Sequence, residues 1–529
     1  MNREEQLQEI ASLKEWDLIV IGGGATGLGC ALDATMRGLK TLVVEQADFA
    51  KGTSSRSTKL IHGGVRYLEQ GDVGLVQEAL YERGLLKENA PHLVRNQRFV
   101  IPVYDWWYQP YYTIGLKVYD LMSGKLGLGP SESISKEETI NAIPNIQQEG
   151  LSGGVVYYDG QFDDARLAIT LAHSITDFGG NVINYMKVTG LSKDLKGYVN
   201  GVKVEDLEKG EEYHLNSKMV VNATGIFVDQ INKMDLPDSH DIIKPSQGTH
   251  IVLDKSFLPS NDAIMVPKTD DGRVLFAVPW YNRVVVGTTD IPLKESQLEP
   301  RPKEEEVDFI LSTAGKYLTK SPKRSDIKSY FAGIRPLVQP NKDVNTKEIS
   351  RSHTILVSDS NLVTVTGGKW TTYRSMGEET IDKVLEVGNF PKLKCMTKNL
   401  LLHGFLKQGE DEGDLSPYGK DLQKIRALIE DDETLSDELG TEVKISKAEI
   451  VWATRFEMAR KLEDVLARRT RVLFLDAQTA IDIAPKVADV MAKELKEGQP
   501  WIESQIKEFR TLALRYLPSV DLSEKEVSV

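Results

Sequence analysis

An apolar run at Asp17–Ile21 leads directly into Gly22-Gly23-Gly24-Ala25-Thr26-Gly27, and a stretch of helical length extends from there to Gly38. Lys40–Glu45 then reads as a second apolar strand. The three separated glycines have different mechanical roles. Gly22 permits a tight turn off the strand, Gly24 lets backbone approach a pyrophosphate, and Gly27 allows close packing of helix on strand. The helix start, at Ala25 and Thr26, offers unpaired N–H groups and a positive dipole end to phosphate. Glu45 stands 18 residues beyond Gly27. A carboxylate there accepts hydrogen bonds from an adenosine ribose and disfavours a 2′-phosphate. This succession predicts a dinucleotide-binding βαβ unit without choosing between NAD and FAD.

Three further turns make that choice. Residues 52–68 read GTSSRSTKLIHGGVRYL, a small-residue and hydroxyl-rich loop directly after the second strand. Its candidate contacts are Thr53, Ser54, Ser55, Ser57, Lys59, Leu60, His62, Gly63 and Gly64. Such a loop offers donors to a pyrophosphate and lets backbone lie against a flat ring system. VVNATG (220–225) ends a strand in Ala223, Thr224 and Gly225. TVTGGKWTT (364–372) is a glycine turn before a helix and contributes Gly368, Lys369, Trp370, Thr371 and Thr372. N–H groups at such a helix start can stabilise a reduced, anionic isoalloxazine. Three such turns in this order suit one large cofactor, FAD.

At 529 residues the chain exceeds what a single core usually supports. HIVLD, RVLFAV and RVVVGTTD, within 241–292, alternate apolar with polar residues as antiparallel strands do. A charged helix is predicted over 303–318. Segment 407–415 (KQGEDEGDL) reads as a solvated linker, and residues 416–529 are charged and helix-rich. The expected architecture is α/β (α+β overall). A discontinuous Rossmann-like cofactor domain (14–90, 151–240 and 356–394) carries an antiparallel-sheet substrate domain (91–150 and 241–355), and a C-terminal α-helical domain (395–529) completes the chain.

The net charge of −13 argues against a general nucleic-acid binder, which needs a basic face. The two cysteines, Cys30 and Cys395, have no metal-ligand or redox spacing, so no metal is expected and a reducing cytosol is the natural setting. The charged N-terminus lacks the apolar core of a secretory signal, and no apolar run is long enough to span a bilayer. Membrane contact, where it exists, is expected to be peripheral.

The segments IVIGGGATGLGCALDA (19–34), TSSRSTKLIHGGVRYLE (53–69), NATG (222–225), GTHIVLD (248–254), VGTTD (286–290), AGIRPLV (332–338) and TGGKWTTYR (366–374) together resemble the FAD-dependent glycerol-3-phosphate dehydrogenases. The resemblance runs from about residue 14 to 390, and more weakly through the helical domain. It implies a D-amino-acid-oxidase-like flavoprotein fold. It also implies oxidation of sn-glycerol 3-phosphate to dihydroxyacetone phosphate, with hydride passed to flavin N5. Val188, Gly333 and Arg335 join the cofactor contacts on this basis. One departure is visible: after NATG the family usually shows Pro-Trp, where this chain has Ile226-Phe227.

A phosphate monoester carries nearly two negative charges, so its site needs cations or a nest of N–H groups. Arg335 is the first candidate, because a guanidinium grips two phosphate oxygens at once. The family pattern adds Arg66, Tyr67, Arg351 and Lys369. Alcohol oxidation also needs an acceptor for the hydroxyl proton. His250, in GTHIVLD, matches a family active-site histidine and suits a general base. Lys369 or a water competes for that role. The catalytic set is therefore His250, Arg335 and Lys369, while His62 is expected to pack against the flavin.

The absence of a long insertion of the kind found in the oxygen-using branch favours a quinone as acceptor. A quinone requires docking at a bilayer. Segment 104–125 concentrates Trp106, Trp107, Tyr108, Tyr111 and Tyr112, residues that favour a membrane interface or else line a core. The expected location is cytoplasmic, peripheral on the inner face of the cell membrane, and a homodimer stays open. The basic run Arg455–Arg471 holds six cations interrupted by acids, as a solvated helix face or an interdomain contact would. The competing readings are an oxygen-using glycerol-3-phosphate oxidase, an amine or amino-acid oxidase of the same fold, and a non-catalytic binding protein.

Overall fold

Strand Trp16–Ile21 is almost wholly buried and pairs in parallel with Thr41–Val44 on one side and with Glu211–Asn222 on the other. A computed structural model describes this arrangement over residues 1–64, 71–105, 107–269, 272–339, 353–407 and 416–518. Asn181–Ile183 and Val363–Gly367 extend the parallel sheet at its two sides, and His353–Val357 adds an antiparallel edge. Parallel strands covered on both faces read as continuous apolar runs, which is why the first strand shows no alternation. Helices Ala25–Met36, Asp164–Asp177 and Tyr373–Val387 share one core on one face of this sheet. The N-terminal helix Arg3–Ser12 contributes Leu7 and Ile10 to the core on the other.

The second sheet is almost entirely antiparallel. Strand Ile243–Asp254, near one edge, pairs with Arg283–Gly287 and with Ile327–Val338, and Leu275–Trp280 and Ala263–Val266 lie beyond Arg283–Gly287. Val94–Val103 joins in parallel to Ala263–Val266 and carries Gly153–Phe162 on its far side. Helix Glu304–Tyr317 packs against this sheet. Three strands depart from the expected domain bounds. Leu60–Ile61 and Gly153–Phe162 belong to the antiparallel sheet, and His353–Val357, which straddles the expected boundary, to the parallel one. Backbone pairing, which apolar patterning does not reveal, makes that assignment.

The C-terminal helices Lys447–Phe456, Ala477–Leu495 and Gln499–Ala513 do not form an isolated bundle. Their core includes Val252, Trp280, Val285 and Phe331 from the antiparallel sheet. The helical domain is thereby seated on the back of the strands whose other ends reach the site. Segment 408–415, within the predicted linker, lies outside the described residues.

Candidate functional site

The turn after Trp16–Ile21 takes the shape its glycines permit. Gly22 has φ +114°, and a methyl group on it would stand 2.6 Å from the Ala223 carbonyl oxygen. On Gly27 a methyl would stand 1.9 Å from the Gly22 carbonyl oxygen, so the helix packs directly on the turn. The Ala25 N–H donates to Ser54 Oγ at 3.0 Å, tying the helix start to the hydroxyl-rich loop. The Glu45 carboxylate accepts from the N–H groups of Gly23 (2.7 Å) and Ala47 (2.9 Å). Burial raises its pKa above the ordinary carboxylate value, against the pull of those two bonds.

A cavity of about 380 Å³ runs from this turn to the antiparallel sheet. Gly22, Gly24, Ala25, Thr26 and Glu45 line its first part. Thr53, Ser54, Ser57, Leu60 and His62 line it from the loop, and Val188, Ala223, Thr224 and Gly225 from the parallel sheet. Ile226 and Phe227, the departure from the family's Pro-Trp, supply an apolar wall beside them. Gly368, Lys369, Trp370 and Thr371 close the far side. The Trp370 indole N–H donates to the Ser54 carbonyl at 2.8 Å, and the His62 N–H to Thr371 Oγ1 at 3.2 Å, so the predicted turns are bonded to one another. Glycine cradle, cavity-lining acid and helix start fit a dinucleotide, and the remaining length of cavity fits a second ring system.

Six of the expected contacts stand behind the cavity wall. Gly27 is used for packing, Ser55 is buried, and the buried Thr372 bonds back to the Lys369 carbonyl at 3.3 Å. Gly63 donates its N–H to Tyr119 Oη at 2.8 Å, and Gly64 turns with φ +77°. Lys59 points away from the cavity, its ammonium 2.7 Å from both Asp164 Oδ2 and the carbonyl of Ser55. The rings of Trp280, Phe331 and Phe474 surround that ammonium at 5.2–5.3 Å. Burial draws its pKa down to about 7, although Asp164 opposes the shift.

The other end of the cavity is built on two neighbouring strands. Arg335, on Ile327–Val338, lies opposite Ser246, and its guanidinium crosses Gly248, where a methyl would stand 2.5 Å from Nη2. Asp290 Oδ1 (3.1 Å), the Thr289 carbonyl (3.2 Å) and Thr288 Oγ1 (3.4 Å) accept from it. Ser246 in turn donates to Asp290. His250, two residues from Gly248 and on the same strand face, stacks on Phe331 with ring centres 5.0 Å apart. Its Nε2 meets Thr58 Oγ1 at 2.9 Å. Burial first, and then the charges of Lys59 and Arg335, depress its pKa to about 3, so the imidazole is neutral near pH 7.

Gly333, His250, Arg335 and Lys369 all line the cavity, whereas Arg66, Tyr67 and Arg351 lie outside the described residues. Sequence reasoning passed over Thr58, which meets His250, and Asp290, which holds Arg335. Both sit inside segments already singled out, STKLIHGG and VGTTD. Their types were visible, but the side from which each faces the cavity was not.

Comparison with known proteins agrees with this geometry. A family model described as FAD dependent oxidoreductase matches residues 17–382, and one described as C-terminal domain of alpha-glycerophosphate oxidase matches 412–501. The mitochondrial glycerol-3-phosphate dehydrogenase of Rattus norvegicus is 40% identical, over 98% of this chain and 75% of its own. That of Schizosaccharomyces pombe is 36% identical, over 100% and 91%. The glycerol-3-phosphate dehydrogenase of Bacillus halodurans, solved with FAD, superposes with a TM-score of 0.80 at 28% identity, covering 98% of both chains. Sequence, fold and cavity therefore converge on one assignment: the chain belongs to the FAD-dependent glycerol-3-phosphate dehydrogenases, within the wider family of FAD-dependent oxidoreductases.

Proposed function

We propose that the protein oxidises sn-glycerol 3-phosphate to dihydroxyacetone phosphate and delivers the electrons to a quinone at a membrane surface. One observation carries the first half. Arg335 and His250 converge beside Gly248 at one end of the cavity whose other end is the dinucleotide turn. A guanidinium and a neutral imidazole on adjacent strands match the two needs of a phosphorylated alcohol, charge neutralisation and proton removal.

Arg335 grips the phosphate, with Lys369 and Arg351 assisting, and Asp290 exchanges its share of the guanidinium for the incoming oxygens. FAD, when bound, supplies the hydride acceptor. His250 takes the hydroxyl proton. A phosphate dianion beside Arg335 offsets the positive charge that opposes protonation of His250, so the base gains strength when substrate is seated. Glycerol, which has no phosphate, does neither.

For the acceptor, helix Tyr108–Ser123 provides the support. Trp107, Tyr111, Ile114, Val118 and Leu121 are 43–82% exposed and follow a four–three spacing, which is one face of a helix. Tyr108 and Tyr112 turn inward, onto a core built around Phe99 and Tyr157. Trp106 lies outside the described residues. Among the described residues no helix is long and apolar enough to cross a membrane. An exposed aromatic and aliphatic stripe suits a peripheral protein lying in the interface, here on the cytoplasmic side of the cell membrane.

The test is anaerobic. Glycerol 3-phosphate should bleach the flavin and glycerol should not; bleaching by neither, or by both alike, overturns the substrate reading. Reoxidation that is fast with quinone analogues and slow with oxygen supports the acceptor, and the reverse order replaces it with an oxidase.

A further inference from the structure

The basic run near the end of the chain divides: Arg455 and Lys461 lie on a solvated face, whereas Arg468, Arg469 and Arg471 are buried in an interdomain contact. Residues Asp464–Arg469 form a π-helical turn, and Arg471 just beyond it has φ +65°. π turns and left-handed non-glycine residues are uncommon, and both persist where surrounding contacts over-determine them. Some of those contacts lie within the helical domain or come from Tyr185, and the others come from the cofactor loop or from Asp164, which is bonded to it. Arg469 grips the buried carboxylate of Asp48 with two bonds of 2.7 and 2.8 Å, and Arg468 reaches the same carboxylate. Arg471 donates to Asp164 Oδ1 at 3.0 Å and to the carbonyl of Ser55 at 3.1 Å. Glu463, at the start of the turn, pairs with Lys51 and accepts from Arg468 at 2.7 Å.

Asp48, Lys51, Ser55 and Asp164 are each on, or bonded to, the segment that forms the cavity wall. Lys51, Thr53, Ser54, Ser57 and Thr58 line the cavity from that segment, while Asp48 and Ser55 face away from it toward the arginines. Asp164 accepts from both the N–H (3.1 Å) and the hydroxyl (2.7 Å) of Ser57, so Arg471 reaches the loop by a second path. Further along, Tyr516 donates to Glu299 at 2.7 Å, and Glu299 accepts from Arg56 at the same distance. A loop of small residues has little packing of its own to fix its shape. Buried ion pairs are costly unless fully satisfied, yet bidentate ones define geometry narrowly.

We propose that the π turn and Arg471 are positioning elements for the cofactor loop, so that the FAD site is complete only with the C-terminal domain docked on it. Apart from Lys51, which also lines the cavity, the domain holds the loop from behind, on the side turned away from the cavity. Its work is to keep the loop's donors aimed into the cavity before FAD arrives.

The test uses the full chain, stripped of FAD and titrated with FAD by flavin fluorescence. Glu463→Gln, Arg471→Lys and, from the loop side, Lys51→Met should each weaken FAD binding at least tenfold. The double variant Lys51→Met/Glu463→Gln should lose little more than either single one. Arg455→Ala, which breaks an ion pair with Glu494 inside the helical domain, serves as the control and should leave FAD binding unchanged. Hydrogen exchange should rise in residues 48–59 while the helices at 477–495 and 499–513 keep their protection. FAD affinity within twofold of the parent in Glu463→Gln and Lys51→Met overturns the proposal. So does weakening that comes with uniform loss of protection across the helical domain. Should Arg471→Lys fail to fold, Glu463→Gln, which lies outside the cavity lining, decides alone.

Discussion

Gly287 lies directly opposite His250 across two antiparallel strands, and a methyl group on it would stand 2.3 Å from the imidazole Cδ2. With Phe331 stacked against the ring and Thr58 on Nε2, the imidazole has one place to be. Gly287→Ala should displace it while leaving the dinucleotide turn intact. Loss of a positioned general base costs on the order of 10²-fold in rate. Stopped-flow bleaching by glycerol 3-phosphate should therefore slow by about that factor with FAD content unchanged. Parental rates would mean that His250 does not take the proton.

Arg335, which lines the cavity, is the cation proposed to meet the substrate's charge. Removing one partner of a desolvated, hydrogen-bonded charge pair costs about 2–5 kcal/mol, so Arg335→Ala should weaken glycerol 3-phosphate binding by roughly 1.5 to 3.5 powers of ten. Asp290 is left facing the phosphate in that variant and adds to the loss. Arg335→Lys should recover only part, because a single ammonium cannot grip two oxygens. Saturation curves for flavin reduction measure both; an unchanged half-saturation point removes Arg335 from the substrate site.

His403 joins the segment after the cofactor domain to two helices, with Nδ1 2.6 Å from Asp177 and Nε2 2.6 Å from Asp421. Burial pulls its pKa down, but the hydrogen bonds and charges of the two carboxylates outweigh this and raise it from 6.5 to about 9. A raised folded pKa stabilises fully below the unfolded value, and the gain disappears as pH rises through the folded one. His403→Asn should accordingly destabilise the protein by on the order of 2 kcal/mol near pH 6, with the gap closing by about pH 9–10. Thermal unfolding at the two ends of that range reads the difference; a gap that widens with pH would show that the carboxylates do not hold the charged imidazole.

The stripe on helix Tyr108–Ser123 predicts a separation of binding from folding. Ile114→Glu and Leu121→Glu place charge at positions 65% and 82% exposed, so neither disturbs a core. Flotation with anionic lipid vesicles should fall several-fold while FAD content and bleaching by glycerol 3-phosphate hold. Equal flotation of parent and variants would assign the stripe to something other than a lipid surface.

That same helix shows why some of the protein was legible in the sequence and some was not. The aromatic concentration was plain, but whether it faced lipid or core was open. Trp107 and Tyr111 are exposed and Tyr108 and Tyr112 half-buried, so only part of the cluster joins the core, according to helical phase. Lys59 and Thr58 make the same point at the site. They are neighbours in one motif, yet Thr58 meets His250 in the cavity and Lys59, at φ +64°, sits in a ring cage behind it. Motif membership marks a neighbourhood, and the backbone decides which side chain enters it.

What the sequence determined by itself was local: the strand, glycine turn and helix at 16–36, whose geometry comes from contacts between residues a few positions apart. The ordered motifs 53–69, 222–225 and 366–374 extended that reading to a large dinucleotide cofactor. Only the tertiary structure decided what the arginines at 468, 469 and 471 do. Arg468 and Asp48 are separated by 420 residues, and nothing in either segment names the other. Buried charges must find partners wherever the fold brings them, so their pairing is a property of the assembled chain. In this molecule it is the pairing that joins the last domain to the loop after the second strand.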